Sequence, residues 1–247
     1  MDTVRTRRQV GATLAGTTVA VAGVLASALA TIPVTLLLTR DAAEFTLPMY
    51  AVLFLAGYVG LTLVGVLFLG LTGRGWRFVD LKPLDSAALK AVAGYTVLAI
   101  AVVVAAASLA LALGVETSQN ANLRPGVDGN LNYLLLLIPI ALLVNGPAEE
   151  FLFRNVVQKS LYRSFSRRAA IVVTSAIFAL VHLPAFWAGG VDLVATATSL
   201  SIVFLCSLVF GTAYARTENL TVVALVHGLF NAVQIGALYL ALTFGVL

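Results

Sequence analysis

A chain of 247 residues that is 60% hydrophobic and only 11% charged has too little polar surface to cover a soluble globule. Its mean hydropathy of +1.01 points the same way. The net charge of +4 comes without a basic groove and interleaved aromatics, so no nucleic-acid partner is expected; the lipid bilayer is the expected solvent.

A hydrocarbon core about 30 Å thick is crossed by about 20 apolar residues of helix. Residues 9–39, 45–73, 91–115, 129–148, 169–191, 193–215 and 219–247 contain no Asp, Glu, Lys or Arg, which gives seven spans. The first follows MDTVRTRR, yet its apolar stretch is about twice the length of a signal-peptide core, so it reads as a retained span. Between spans two and three, TGRGWRFVDLKPLDS reads as an ordinary connection along the cytoplasmic surface, and ETSQNANLRPGVDGN is its counterpart after span three. Spans five and six are separated by HLPAFWAGGVD, where Pro184, Gly189, Gly190 and Asp192 supply a short break and Phe186 and Trp187 suit an interface. The lone cysteine, Cys206 in span six, has no intrachain partner and reads as a packing residue.

Basic residues fix an orientation. Arg5, Arg7 and Arg8 precede span one; Arg74, Arg77, Lys82 and Lys90 follow span two; Arg154, Lys159, Arg163, Arg167 and Arg168 follow span four; Arg216 follows span six. Only Arg40 and Arg124 fall in the alternate loops. The positive-inside tendency therefore puts the N-terminus in the cytoplasm and the C-terminus outside. The expected fold is an all-α polytopic membrane bundle of about seven transmembrane helices. It forms one membrane domain over residues 1–247, with three N-terminal spans in 1–130 and four further spans in 131–247.

Against this background the stretch NGPAEEFLFRNVV, residues 145–157, is expensive. A charge at the centre of a membrane helix costs about 2.5–3.5 kcal/mol, and such groups face a bundle interior or a watery cavity. Residues four apart share a helix face, so Glu150 and Arg154 have the spacing of a local ion pair. Glu149 points elsewhere and needs another partner. The two histidines of the chain, His182 and His227, both lie in predicted spans. If LYRSFSRR is the bend of a helical hairpin, Glu149 and His182 are equally far from it along their two helices. His227 enters from the same side on span seven, with Asn231 one turn on. Three helices can thus bring Glu149, His182, His227 and Asn231 to one level.

A carboxylate and imidazoles around buried water activate that water in one of two ways. Glu149 serves as general base, or Glu149, His182 and His227 hold a Zn²⁺ ion with an open water position. A metal-free route and a Zn²⁺ route both stay open. Asn231 is placed to donate its amide to a developing oxyanion. No serine stands in a G-x-S-x-G setting, which leaves the nucleophile route poorly supplied.

EEFLFR (149–154), FALVH (178–182) and HGLFN (227–231) resemble the EExxxR, FxxxH and HxxxN motifs of the CPBP family. These are the CAAX-processing and bacteriocin-processing, or Abi, intramembrane proteases, which include the type II CAAX prenyl endopeptidases. The resemblance covers about residues 131–235 and runs in family order. It implies that Glu149 activates water and His182 holds it, that His227 and Asn231 serve metal or oxyanion, and that Glu150 and Arg154 support them. Asn155 stands where many members have glycine, a departure that concerns helix packing. The implied substrate is a membrane-associated, lipidated or CAAX-like peptide or protein reached from the cytoplasm, and the implied location is a prokaryotic plasma membrane. A non-catalytic scaffold and a proton or metal-ion transporter are the competing readings.

Overall fold

The computed structural model describes residues 2–38, 45–187 and 192–246. Arg40, Gly189 and Gly190, used above for orientation and for a loop, lie outside the described residues. Among the described residues six helices are long and apolar enough to cross a membrane. They are α1 (Asp2–Leu38), α2 (Leu47–Leu71), α3 (Ser86–Ala112), α4 (Leu131–Leu161), α6 (Leu193–Thr217) and α7 (Leu220–Thr243). Between α4 and α6 lies a shorter seventh, α5 (Arg167–Val181), followed by a single helical turn at Leu183–Trp187. The chain is an all-helical, multi-pass membrane protein, with lipid-facing leucines such as Leu14, Leu29, Leu63 and Leu109 exposed.

Two expected spans have different ends. The fourth does not stop near residue 148 but continues through the charged stretch to Leu161. The charges there need no solvent, because Phe151 to Gln158 are all buried in protein. The fifth ends early, so His182 caps α5 instead of lying within a span. Pro184 has no N–H to give to the carbonyl one turn back and its ring crowds that carbonyl, which breaks the helix there. The His182 N–H closes a tight turn on the Ala179 carbonyl at 3.1 Å. Asp192, expected as a breaker, is the N-cap of α6 and accepts from Val194 at 2.7 Å and Ala195 at 3.0 Å.

Helix α4 is the hub, since its residues enter all three apolar clusters: Phe151 and Val156 in one, Leu152, Phe153 and Val157 in the second, Tyr133 and Leu137 in the third. It carries two π-helical segments, Ala141–Asn145 and Phe151–Gln158, on either side of Glu149 and Glu150. Pro147 cannot donate to Leu143, and the Gly146 N–H instead reaches back five residues to Ala141. Such widened turns re-aim the side chains beside them and recur at functional sites.

Glycines set the distance between α4 and α7. A Cβ at Gly146 would lie 2.6 Å from the Ala224 carbonyl oxygen, and one at Gly228 would lie 2.8 Å from Leu142 Cα. Backbone meets backbone here, as small residues permit in membrane helices. Gly228→Ala is expected to destabilise the fold by about 1–3 kcal/mol through overpacking, whereas Gly236→Ala, with nothing within 4 Å of its added carbon, leaves it unchanged. Thermal unfolding of both variants in detergent checks the contrast.

The basic loops share one face. Arg8, Arg74 and Arg163 line one cavity, Asp80 pairs with Lys159 at 2.8 Å, and Arg167 pairs with Glu218. Ser118, after α3, meets Thr196 and Ser199 near the start of α6, on the opposite face. The connection 72–86 is more than the ordinary loop expected. The Asp80 N–H donates to Asn155 at 2.9 Å, Tyr214 donates to the Asp80 carboxylate at 2.6 Å, and Leu220 donates to the Asp80 carbonyl at 2.8 Å. Asn155, buried completely, is thus the anchor that holds this strap to α4 and α6.

Candidate functional site

Glu150 and Arg154 form the expected pair, with Nε donating to Oε2 at 2.8 Å and both side chains 0% exposed. Arg154 also donates to Ser207 of α6 at 3.0 Å and lies over the Phe178 ring at 5.0 Å. The second oxygen of Glu150 faces Nδ1 of His227 at 2.8 Å. An ionised carboxylate only accepts, so Nδ1–H is the donor and Nε2 of a neutral His227 carries a free lone pair. That nitrogen stands 3.9 Å from Oε2 of Glu149. Phe210 fixes the imidazole plane by stacking on it at 4.6 Å with an interplanar angle of 21°.

Glu149 differs from its neighbour in access: its side chain keeps 15% exposure where Glu150 has none. Its other oxygen accepts from Asn145 at 2.6 Å. Asn145 donates its second N–H to the Tyr58 hydroxyl at 2.7 Å and accepts from Asn231 at 2.7 Å. Both hydrogens of the Asn145 amide are therefore given away, and its oxygen accepts one bond. Asn231 retains one N–H beyond this chain.

His182 approaches from α5. Its Nδ1 bonds the Phe178 carbonyl at 2.7 Å, so that nitrogen carries the proton and Nε2 is left as the acceptor. Phe178 lies between the two imidazoles, at 4.5 Å from the His182 ring and 5.9 Å from the His227 ring. Among the described residues no ion pair joins His182 to Glu149. Helices α4 and α7 thus bring together Glu149, Glu150, Arg154, His227 and Asn231, and His182 reaches them through Phe178.

Metal binding makes a stricter demand. Glu149 and His227 offer two donor atoms, and the Nδ1–H bond to Glu150 leaves Nε2 of His227 free to ligate. Among the described residues no group of three or more His, Cys, Asp or Glu side chains is arranged to hold a metal ion.

Asn145, Tyr58, Ser207 and Phe210 are the members that sequence reasoning missed. Asn145 had a signal, a polar amide one turn before Glu149 in an apolar run, but it reads equally well as a helix terminus. Tyr58, Ser207 and Phe210 lie on α2 and α6 and have no spacing relation to the motifs.

Neither the curated proteins nor the solved structures contain a significant match to this chain. One family does match, "Type II CAAX prenyl endopeptidase Rce1-like", over residues 131–233. That segment holds α4, α5, α6 and most of α7, with every motif residue described above. Over residues 131–233 the chain is therefore similar to the Rce1-like, type II CAAX prenyl endopeptidase family.

Proposed function

We propose that this protein is an intramembrane endopeptidase that hydrolyses a peptide bond in a membrane-associated, lipidated or CAAX-like substrate. The observation that carries the reading is the asymmetry of the two carboxylates. Glu150 is sealed between Arg154 and His227, while Glu149 is reachable and stands 3.9 Å from a free imidazole nitrogen. That gap suits a single water hydrogen-bonded to both groups.

In this scheme Glu149 takes a proton from the water as its oxygen attacks the scissile carbonyl carbon. Asn231 gives its remaining N–H to the oxyanion. Glu149 then returns the proton to the departing amide nitrogen as the C–N bond breaks, which releases an amine and a carboxylate. His227, through Nε2, accepts the water's other hydrogen bond and orients it, while His182 supports the site through Phe178. Glu150 and Arg154 hold His227 in the tautomer that leaves Nε2 open.

A Zn²⁺ ion on Glu149, His182 and His227 is the second reading, favoured by the close approach of Glu149 and His227. Metal analysis of the purified protein, with cleavage of a fluorescence-quenched farnesylated CAAX peptide measured before and after chelation, separates the two. Glutamate-activated water predicts unchanged activity in a metal-free preparation; stoichiometric zinc and loss on chelation would establish the metal route.

The same scheme predicts that Asn231→Ala lowers kcat by about 10²–10³-fold with KM little changed. Equal loss in binding and turnover would instead assign Asn231 to holding Asn145. The proposed orientation places the basic face in the cytoplasm of a prokaryotic cell, with the substrate entering from that side. Cysteine-accessibility labelling at positions 77 and 124 in intact cells tests it.

A further inference from the structure

A cavity on the basic face is lined by none of the motif residues. It has a volume of about 340 Å³ and is bounded by α1, the end of α2 and its loop, and the α4–α5 turn. That size falls in the range of small-ligand sites, about 300–1,000 Å³. Three arginines from three elements, Arg8, Arg74 and Arg163, line it together with Ser160 and Ser164. The rest of the lining is apolar, with Ala15, Val19, Phe68 and Val157. From Arg8 to Val19 the site runs about 16 Å along α1.

The charge in this cavity is unbalanced. Among the described residues no ion pair involves Arg8, Arg74 or Arg163. Arg8 donates to the Arg163 carbonyl, and Arg74 donates to Ser160 at 2.6 Å while its guanidinium lies over Phe68 at 4.8 Å and Phe78 at 4.7 Å. Burial, and then the charge of Arg163, push the Arg74 guanidinium below its ordinary value. Three cations held together by aromatic rings, a hydroxyl and a carbonyl, without a carboxylate, are arranged for an anion from outside the chain.

Its place and shape say what kind. The cavity opens beside α1, a helix with only 6% of its apolar window buried, at the end that carries the basic loops. A ligand that fits has a compact anionic head and a hydrocarbon tail about a dozen carbons long. We infer that this cavity is a binding site for an anionic phospholipid, with its phosphodiester among Arg8, Arg74 and Arg163 and one acyl chain laid along α1 past Ala15 toward Val19. Basic pockets between membrane helices recognise anionic headgroups in this way, each cation contributing through phosphate contact and the local potential. The bound lipid joins α1 to the α4–α5 turn.

The test uses the full-length protein, delipidated in a neutral detergent and titrated separately with phosphatidylglycerol, phosphatidylcholine of the same chain length and inorganic phosphate. Native mass spectrometry reads occupancy, and thermal unfolding reads stabilisation. Phosphatidylglycerol is expected to bind at least about fivefold more tightly than phosphatidylcholine and to raise Tm. Arg163→Ala should weaken it about fivefold and Arg163→Lys should restore most of the loss. The Arg163→Ala change keeps the backbone carbonyl that Arg8 uses, so the fold is spared. Ala15→Trp retains every charge but fills the acyl path, and should weaken lipid binding as well. Equal affinity for the two lipids, indifference to Arg163→Ala, or full stabilisation by inorganic phosphate alone would each overturn the assignment.

Discussion

Glu149→Gln is expected to lower the rate of peptide cleavage by about 10²–10⁴-fold, the usual contribution of a general base, with no loss of thermal stability. The substitution is nearly isosteric, and a glutamine oxygen can still accept the 2.6 Å bond from Asn145. What it loses is basicity at the carboxylate of the pair that keeps 15% exposure. Glu150→Gln tests the contrast. It removes charge from a fully buried position between Arg154 and His227, so it should lower stability and activity together. Cleavage of the same farnesylated peptide, with Tm measured on each preparation, separates the two carboxylates. Full activity in Glu149→Gln would remove the hydrolytic reading.

The difference between the neighbouring carboxylates was half visible in the sequence. Spacing alone paired Glu150 with Arg154, and the 2.8 Å bond follows from four-residue periodicity, which the widened turn after Phe151 does not disrupt. The level shared by Glu149 and His227 was also legible, because helix rise converts residue counts into depth. What periodicity could not supply was rotation. Whether His182 faced Glu149 or Phe178 depended on how Pro184 ended α5, and whether Glu150 or Glu149 met His227 at Nδ1 depended on the π-helical turns around them. Those turns shift the face of the side chains beside them, and the first lies where Pro147 lacks an N–H and Gly146 packs against Ala224 and Gly228 of α7.

Charge-free runs located the helices but misjudged their ends for a related reason. A count of apolar residues treats Arg154, Asn155 and Gln158 as leaving the membrane, whereas each has a protein partner: Ser207, Asp80 and Gly211 respectively. Desolvation is offset contact by contact, and those contacts come from segments far away in sequence. Asp80 illustrates the limit. In the sequence it is one acid in a polar loop; in the fold it joins that loop to α4, α6 and the start of α7.

The same dependence on partners makes Arg154→Ala the most destabilising single change expected in the chain, at about 3–5 kcal/mol. Both members of the pair are 0% exposed, so the variant leaves the Glu150 carboxylate without its cation and with only His227 to bond. Ser207 loses its donor and the Phe178 ring loses the guanidinium at 5.0 Å. Arg154→Lys keeps the charge but cannot reproduce the planar fork, and should recover only part of the loss. The decisive comparison is the double variant Glu150→Gln with Arg154→Met. Replacing both ions removes the buried charge itself, so its stability should approach that of the parent although every contact of the pair is gone. Its activity should remain low, because a neutral amide holds His227 in its tautomer less firmly than a carboxylate does. Thermal unfolding of the single and double variants in one detergent decides between a desolvated pair and a hydrated one: near-equal Tm for the parent and Arg154→Ala would mean that water reaches Glu150.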